Sequence, residues 1–276
     1  MADVAESGLG KATRYDCDYD PSLLFPIARS DNREKLGAAF TNFIGEDWWT
    51  CYELSWLQES GMPVAAIAHF RIPSHSPNII ESKSFKLYLN SLNQHKFKSE
   101  TELKQTLVKD LSQAALAEVE VKIEPAHKAQ SGITDTSAVC VDLLRPDARE
   151  FVYEPDASLL ELDSEGGQVE ELLCSHLLRS NCPVTDQPDW GSVYIDYRGP
   201  KIEHESLLRY IISFRQCQDF HEHCVERMFC DILEQCACES LSVYARYTRR
   251  GGLDINPYRA TKDKAAIAPI IRTVRQ

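Results

Sequence analysis

The sequence predicts an α+β protein of two tandem ββααββ domains, each an antiparallel sheet covered by helices on one face. Three observations predict it. Segments of strand period and helix period follow one another in the same order in both halves of the chain. The repeat, roughly 120 residues, is too long for a solenoid unit. Between the halves, Arg145 to Glu170 carries Pro146, Pro155, Gly166, Gly167 and many acids, which interrupts both periods and reads as a linker. The expected domains are residues 1–145 and 146–276.

In the first half, Thr50 to Leu57 and Val64 to Ile72 read as strands around a Gly61-Met62-Pro63 turn. Phe85, Leu89 and Leu92 share one helix face, and Leu103, Leu107 and Leu111 form the stripe of a second helix. Ser99 and Glu102 match a capping box at its start. Val119, Val121 and Ile123 alternate as a strand, and so do Val139, Val141 and Leu143. In the second half, Glu171 to Leu178 and Ser192 to Tyr197 are expected strands, and Glu205 to Gln216 and Phe220 to Cys236 helices. Leu241, Val243, Ala245 and Tyr247 alternate, and Leu253-Asp254-Ile255 makes a short last strand. Glu81-Ser82 opens one helix pair, and Glu205-Ser206 is its expected echo.

With 43% hydrophobic residues over 276 positions, the chain can bury a substantial core. A formal net charge of -12 argues against a nucleic-acid surface, which needs clustered Lys and Arg. No apolar run approaches the roughly 20 residues of a membrane helix. Met1 to Glu6 lacks the basic and apolar regions of a signal peptide. Ten cysteines in such a chain are expected as reduced thiols of a cytoplasmic protein. They do not recur as CxxC pairs at zinc-ribbon spacing, and Cys236 shares an apolar helix face with Val225, Met228, Phe229, Ile232 and Leu233. No metal is expected.

One cysteine stands apart. Cys182 lies in Asn181-Cys182-Pro183-Val184-Thr185-Asp186-Gln187-Pro188-Asp189-Trp190-Gly191. Proline fixes φ and removes a donor, so the stretch reads as a held loop. A thiol there, with Asp186 and Asp189 downstream, suits nucleophilic catalysis better than core packing. In Ile80 to Tyr88, the serines and Lys83 lie at a helix start, where free N–H groups and the helix dipole favour phosphate. A capped, solvated basic face is the competing reading. Asp219-Phe220-His221-Glu222-His223 is either a cap with surface histidines, or a proton relay (His221) beside an acceptor for a substrate N–H edge (Glu222). Arg249-Arg250-Gly251-Gly252 allows close approach of backbone to a phosphate, or is a plain hairpin turn.

Taken together, these segments resemble one family. Glu81-Ser82-Lys83-Ser84-Phe85-Lys86-Leu87-Tyr88 is similar to the signature of the NADPH-dependent nitrile reductases of queuosine biosynthesis. Those enzymes convert 7-cyano-7-deazaguanine to 7-aminomethyl-7-deazaguanine. Ser180 to Thr185 and Pro188 to Gly191 resemble the family's catalytic loop. Phe220-His221-Glu222, Arg249 to Gly252, and Leu9-Gly10-Lys11 through Phe25-Pro26 also match, over nearly the whole chain, as in the long two-domain form. The resemblance implies the tunnelling fold (T-fold), a homodimer, and NADPH held without a Rossmann domain. It implies that Cys182 attacks the nitrile to form a covalent thioimide, with Asp189 as general base and then acid. Ile80, Glu81, Ser82, His221 and Glu222 would meet the substrate, the two glutamates accepting from its N1–H and 2-amino edge. Ser82, Lys83, Arg250 and Gly251 would hold NADPH. Neither a nucleic acid nor a membrane is an expected partner. Two other readings remain: a cysteine- or metal-dependent hydrolase of a purine or pterin ring, and a binding module without turnover.

Overall fold

The run Trp48-Trp49-Thr50-Cys51-Tyr52 is aromatic and β-branched enough to hold an extended backbone, and it forms the middle of the first long strand. The structure, a computed structural model, describes residues 18–36, 43–129, 132–144, 146, 151–269 and 271–276. The matched stretch from Leu9 to Cys17, and Arg145 with 147–150 of the expected linker, lie outside the described residues. In chain order the elements are β1 (Pro26–Ala28), α1 (Ser30–Arg33), β2 (Ile44–Gln58), β3 (Pro63–Pro73), β4 (Asn78–Ile80), α2 (Ser82–Ser91), β5 (Lys96–Phe97), α3 (Glu100–Ala115) and β6 (Glu120–Pro125). There follow β7 (Val139–Cys140), β8 (Gln168–Ser175), β9 (Arg179–Asn181), β10 (Pro188–Pro200), α4 (His204–Ser213), α5 (His221–Cys236), β11 (Ser240–Tyr247) and β12 (Leu253–Ala260).

The chain forms two compact units. The first comprises Asp47–Gly132, Arg249–Ile255 and the described chain up to Asp31. Its sheet runs β6, β3, β2 and then the beginning of β12. The last contact is fixed by Tyr52, whose N–H donates to the Gly252 carbonyl at 2.9 Å and whose hydroxyl donates to Asp254 at 2.7 Å. Trp49, Phe70, Phe85, Tyr88, Leu107 and Ile255 are among the residues that join α2 and α3 to this sheet in one apolar core. The second unit comprises Asn32–Glu46, Ile133–Thr248 and Asn256–Gln276. Its sheet carries β11, β10, β8 and β7, with β9 on β10 and Tyr258 to Ala260 of β12 paired antiparallel to β11. Val193, Tyr197, Tyr210, Phe229 and Tyr247 lie in its separate core. Within it, the fully buried Glu226 holds Arg259 at 2.7 Å and Arg33 at 2.6 Å.

The duplication is legible at single hydrogen bonds. Asp20 caps a 3-10 turn by accepting from the Ser22 N–H and hydroxyl, and Asp156 does the same with Ser158. Glu81 caps α2 through the Lys83 and Ser84 N–H groups; Glu203 caps α4 through those of Glu205 and Ser206. The Ser84 hydroxyl donates to the Glu81 carbonyl and accepts from Phe25 N–H, as Ser206 does with Glu203 and Glu161. One turn further, Tyr88 donates to Asp110 and Tyr210 to Asp231, each at 2.7 Å. The counterpart of Glu81 is therefore Glu203, not Glu205 as the sequence suggested.

Three other expectations change. Val139 to Leu143 is not the last strand of the first copy: only Val139–Cys140 is extended, and it pairs in parallel with β8 of the second unit. Val141 to Leu143 is a 3-10 turn in which Val141 alone is buried, so the apparent alternation came from one inward residue. The last strand runs to Ala260, through Pro257, whose missing N–H disguised the continuation. The capping box at α3 is half made. Ser99 accepts from Glu102 N–H at 3.2 Å, but the Glu102 carboxylate takes the Lys98 N–H instead of that of Ser99.

Candidate active site

In the second unit, β9 and β10 form a hairpin whose tip is the Cys182 loop. Pro188 lies opposite Asn181, Asp189 opposite Ser180 and Trp190 opposite Arg179. The loop is closed by backbone bonds: Cys182 N–H to the Gln187 carbonyl at 2.9 Å, and Asp186 N–H to the Cys182 carbonyl at 3.1 Å. Asp186 takes φ 55°, the left-handed conformation that aspartate tolerates better than most residues. Residues directly opposite share a face, as do residues two apart on one strand. The Cys182 N–H bond to the Gln187 carbonyl continues the ladder one pair past the end of β9, and Gln187 precedes Asp189 by two, so the thiol and the carboxylate start from one face of the hairpin. Both are buried.

The hairpin is braced from its other side. Asn181 N–H donates to the Cys217 carbonyl at 2.7 Å, and Asp219 N–H returns to the Asn181 carbonyl at 3.2 Å. Trp190 is flanked by the guanidinium groups of Arg179 and Arg215 at 5.6 and 5.5 Å from its ring centroid. The braced segment leads straight into α5, which starts at His221. His221 Nε2 is 3.3 Å from Asp189 Oδ2, and its ring stacks on Tyr247 at 3.8 Å and 8°. Its Nδ1 is buried without a hydrogen-bond partner. Glu222 is buried in the first turn of α5, where the helix dipole favours a carboxylate. Asp219 does not form the capping pair with Glu222. Phe220 is the N-cap, and Asp219 Oδ1 accepts from Phe220 N–H and pairs with His223 Nδ1, each at 2.8 Å.

Sequence reasoning read Tyr247 only as one residue of an alternating strand. It is the platform beneath His221. Burial pushes its phenol well above the usual range, so the platform stays neutral. Gly191 makes room for it: a Cβ there would stand 3.3 Å from the Tyr247 ring and from Leu178. A small residue two positions after a candidate base was the available signal.

The remaining candidates lie in the first unit. Ile80 ends β4 and is buried, Glu81 caps α2, and Ser82 and Lys83 open it. The Lys83 and Ser84 N–H groups are both taken by Glu81 at 2.7 Å, so they are not available to a phosphate as the helix-start reading supposed. Side-chain cations lie nearby. Lys83 and Lys86 lie one helical turn apart, and Lys86 pairs with Glu53. Arg249 lies over the Tyr52 ring at 4.5 Å. Arg250 and Leu253 close a hairpin whose two central residues, Gly251 and Gly252, have φ 57° and 78°. A Cβ on Gly251 would lie 3.9 Å from the Lys86 side chain, so this turn sits against the basic helix face. Nearby, Cys51, Glu53, Lys86, Asn90, Asn93 and Gln94 line a cavity of about 330 Å³. Side-chain cations around a glycine turn fit a cofactor that carries several phosphates.

Glu81 has no exposed surface. Burial pushes its carboxyl above the usual carboxylate range, against the opposing N–H bonds from Lys83 and Ser84. A raised folded-state pKa means that its stabilisation is complete below the ordinary carboxylate range and is lost as pH rises through the raised value. Glu81→Gln removes that dependence. The urea midpoint of the parent relative to that of the variant is therefore expected to fall from acid toward neutral pH; a flat or rising relative midpoint would contradict the assignment.

Comparison with known proteins finds one family in both halves of the chain. Residues 15–123 match the family model described as nitrile reductase, 7-cyano-7-deazaguanine-reductase N-term, and residues 188–266 match that of QueF-like protein. Cys182 falls between the two matched segments. Over 272 residues the chain is 53% identical to the NADPH-dependent 7-cyano-7-deazaguanine reductase of Burkholderia vietnamiensis, covering 98% of both proteins. It is 54% identical over 273 residues to the enzyme of that name from Chromobacterium violaceum, covering 98% of this chain and 96% of the relative. A solved structure of the archaeosine synthase QueF-Like, in the apo form, aligns with 36% of this chain and 96% of its own, at 15% identity and TM-score 0.30.

Proposed function

This chain belongs to the 7-cyano-7-deazaguanine nitrile reductase family, and on that premise we propose that it reduces the nitrile of 7-cyano-7-deazaguanine to an aminomethyl group with two NADPH, in queuosine biosynthesis. The observation that carries the chemistry is the braced hairpin presenting Cys182 and Asp189 on one face, with His221 docked on Asp189. A nitrile carbon is a modest electrophile, and covalent catalysis divides its reduction into easier steps. Asp189 accepts the Cys182 proton as the sulfur adds to the nitrile carbon, and returns it to the nitrogen, giving a neutral thioimide. His221 holds the Asp189 carboxylate in place and meets the bound base. Glu222 accepts from the N–H edge of the deazaguanine, and Glu81 has lone pairs beyond its two capping bonds for the same purpose. Ile80 and Ser82 complete the substrate contacts.

NADPH, when bound, supplies hydride to carbon. Ser82, Lys83, Arg250 and Gly251 hold it, with Lys86 and Arg249 adding charge for its phosphates. When the carbon–sulfur bond breaks, Cys182 leaves with the bonding pair and is reprotonated, freeing the imine for the second reduction. The described cysteines are free thiols, which supports a cytoplasmic enzyme, and the family reading extends to a homodimer. No helix among the described residues is long and apolar enough to cross a membrane. The test is nicotinamide absorbance on mixing protein, nitrile and NADPH. Two NADPH consumed per nitrile are expected. A folded sample that oxidises none removes the proposal, and turnover without NADPH turns the reading to a ring hydrolase.

A further inference from the structure

We propose that Cys140, Cys174 and His176 form a binding site for a thiophilic divalent cation of the zinc class, apart from the residues assigned to the reaction. Register builds this site. β7 runs parallel to β8 with Cys140 directly opposite Cys174, so the two thiols share one face of the sheet. His176 lies just past the end of β8, in the bend that follows it, and its ring comes back to the two thiols. The sulfurs and an imidazole nitrogen lie within 4.8 Å of one another. Ligands around a tetrahedral zinc, at bond lengths of about 2.0–2.3 Å, stand roughly 3.3–3.8 Å apart. Side-chain rotation of about an ångström therefore closes the set.

The histidine already has the outer partners that metal-bound histidines have. Its Nδ1 is 2.8 Å from the Ser192 hydroxyl. With Nδ1–H donating there, Nε2 keeps its lone pair for a metal. Asp142 accepts from the His176 N–H at 2.8 Å and from the Ser175 hydroxyl at 2.6 Å, which fixes the bend carrying the ring. Cys174 is buried, Cys140 half-buried and His176 exposed, so a cation enters from solvent past the imidazole and a water completes its coordination. Two thiolates and an imidazole select zinc over magnesium or calcium. Both thiols release their protons on binding, so affinity falls as pH drops. Three protein ligands hold metal less tightly than the four of a closed structural site, so a chelator should remove it. The ion would tie the edge strand β7 to β8 and, through Ser192, to β10. Sequence spacing did not point to these residues because it looks for local CxxC pairs, whereas they come from β7, β8 and the bend that follows β8.

The test uses the full chain, reduced and then treated with chelator, with Co2+ as probe. One Co2+ per chain is expected, with a thiolate-to-cobalt charge-transfer band that Zn2+ bleaches and Mg2+ does not. Zn2+ should also raise the melting temperature. Cys140→Ser and His176→Ala should each weaken binding by about 10-fold or more while still melting cooperatively. No band, unchanged binding in both variants, or a band lost only in Cys182→Ala overturns the proposal. So does an intact mass showing Cys140 and Cys174 joined as a disulfide in reducing buffer. None of these readouts depends on nitrile reduction.

Discussion

Replacing Cys182 with alanine is expected to leave a folded protein that binds 7-cyano-7-deazaguanine, forms no covalent adduct with it, and loses turnover by at least about 10,000-fold. The loop survives because its closing bonds are made by the backbone of Cys182, Gln187 and Asp186, none of which the substitution touches. Side-chain loss at this position removes little packed surface, so stability should change modestly. Intact mass of protein mixed with nitrile, without cofactor, reads the chemistry directly. Parent protein should gain the mass of one base, and the variant none. An adduct that persists in the variant assigns the nucleophile to another thiol, such as Cys217 or Cys224 on the braced segment and the helix that follows it.

Asp189→Asn is the second large effect. The amide keeps the size of the side chain and a hydrogen-bonding atom toward His221, but it cannot accept a proton from the thiol. Adduct formation should slow by roughly 100- to 10,000-fold, the range of general-base catalysis, while nitrile affinity stays within a few-fold. Rapid mixing followed by acid quench and mass measurement separates the two. If the variant forms adduct at the parent rate, Asp189 only orients His221, and the proton must leave by another route. His221→Ala then becomes the deciding variant.

Much of the fold is written locally. The apolar periods of α2, α3, α4 and α5 and the long runs of β2, β3 and β10 are properties of neighbours along the chain. What escaped is set at a distance. β9 is three residues long and exists only because β10 and the segment around Cys217 pair with it. Cys140 is extended because Cys174 lies beside it. Glu203 was hidden as the echo of Glu81 because His204 and Glu205 replace Ser82 and Lys83, although the capping bonds are the same. At the candidate site, Cys182 announced itself through its prolines, whereas spacing left Asp186 and Asp189 equal and only the family resemblance singled out Asp189. Tyr247 could not, since stacking beneath His221 looks in sequence like any other inward strand residue.

The composition of the first unit also bears on how the chain is made. Tyr52 emerges early in synthesis, but the Gly252 carbonyl and Asp254 carboxylate that it bonds come some 200 residues later, the hydroxyl pair being separated by 202 positions. Until Arg249–Ile255 leaves the ribosome, β2 has an open edge where the start of β12 belongs. Pairings this distant in sequence must close a long loop before they return any energy, and they slow folding. An exposed strand edge in that interval is a template for wrong partners. The Gly251-Gly252 turn shortens the final search, because a tight hairpin delivers the start of β12 already reversed in direction.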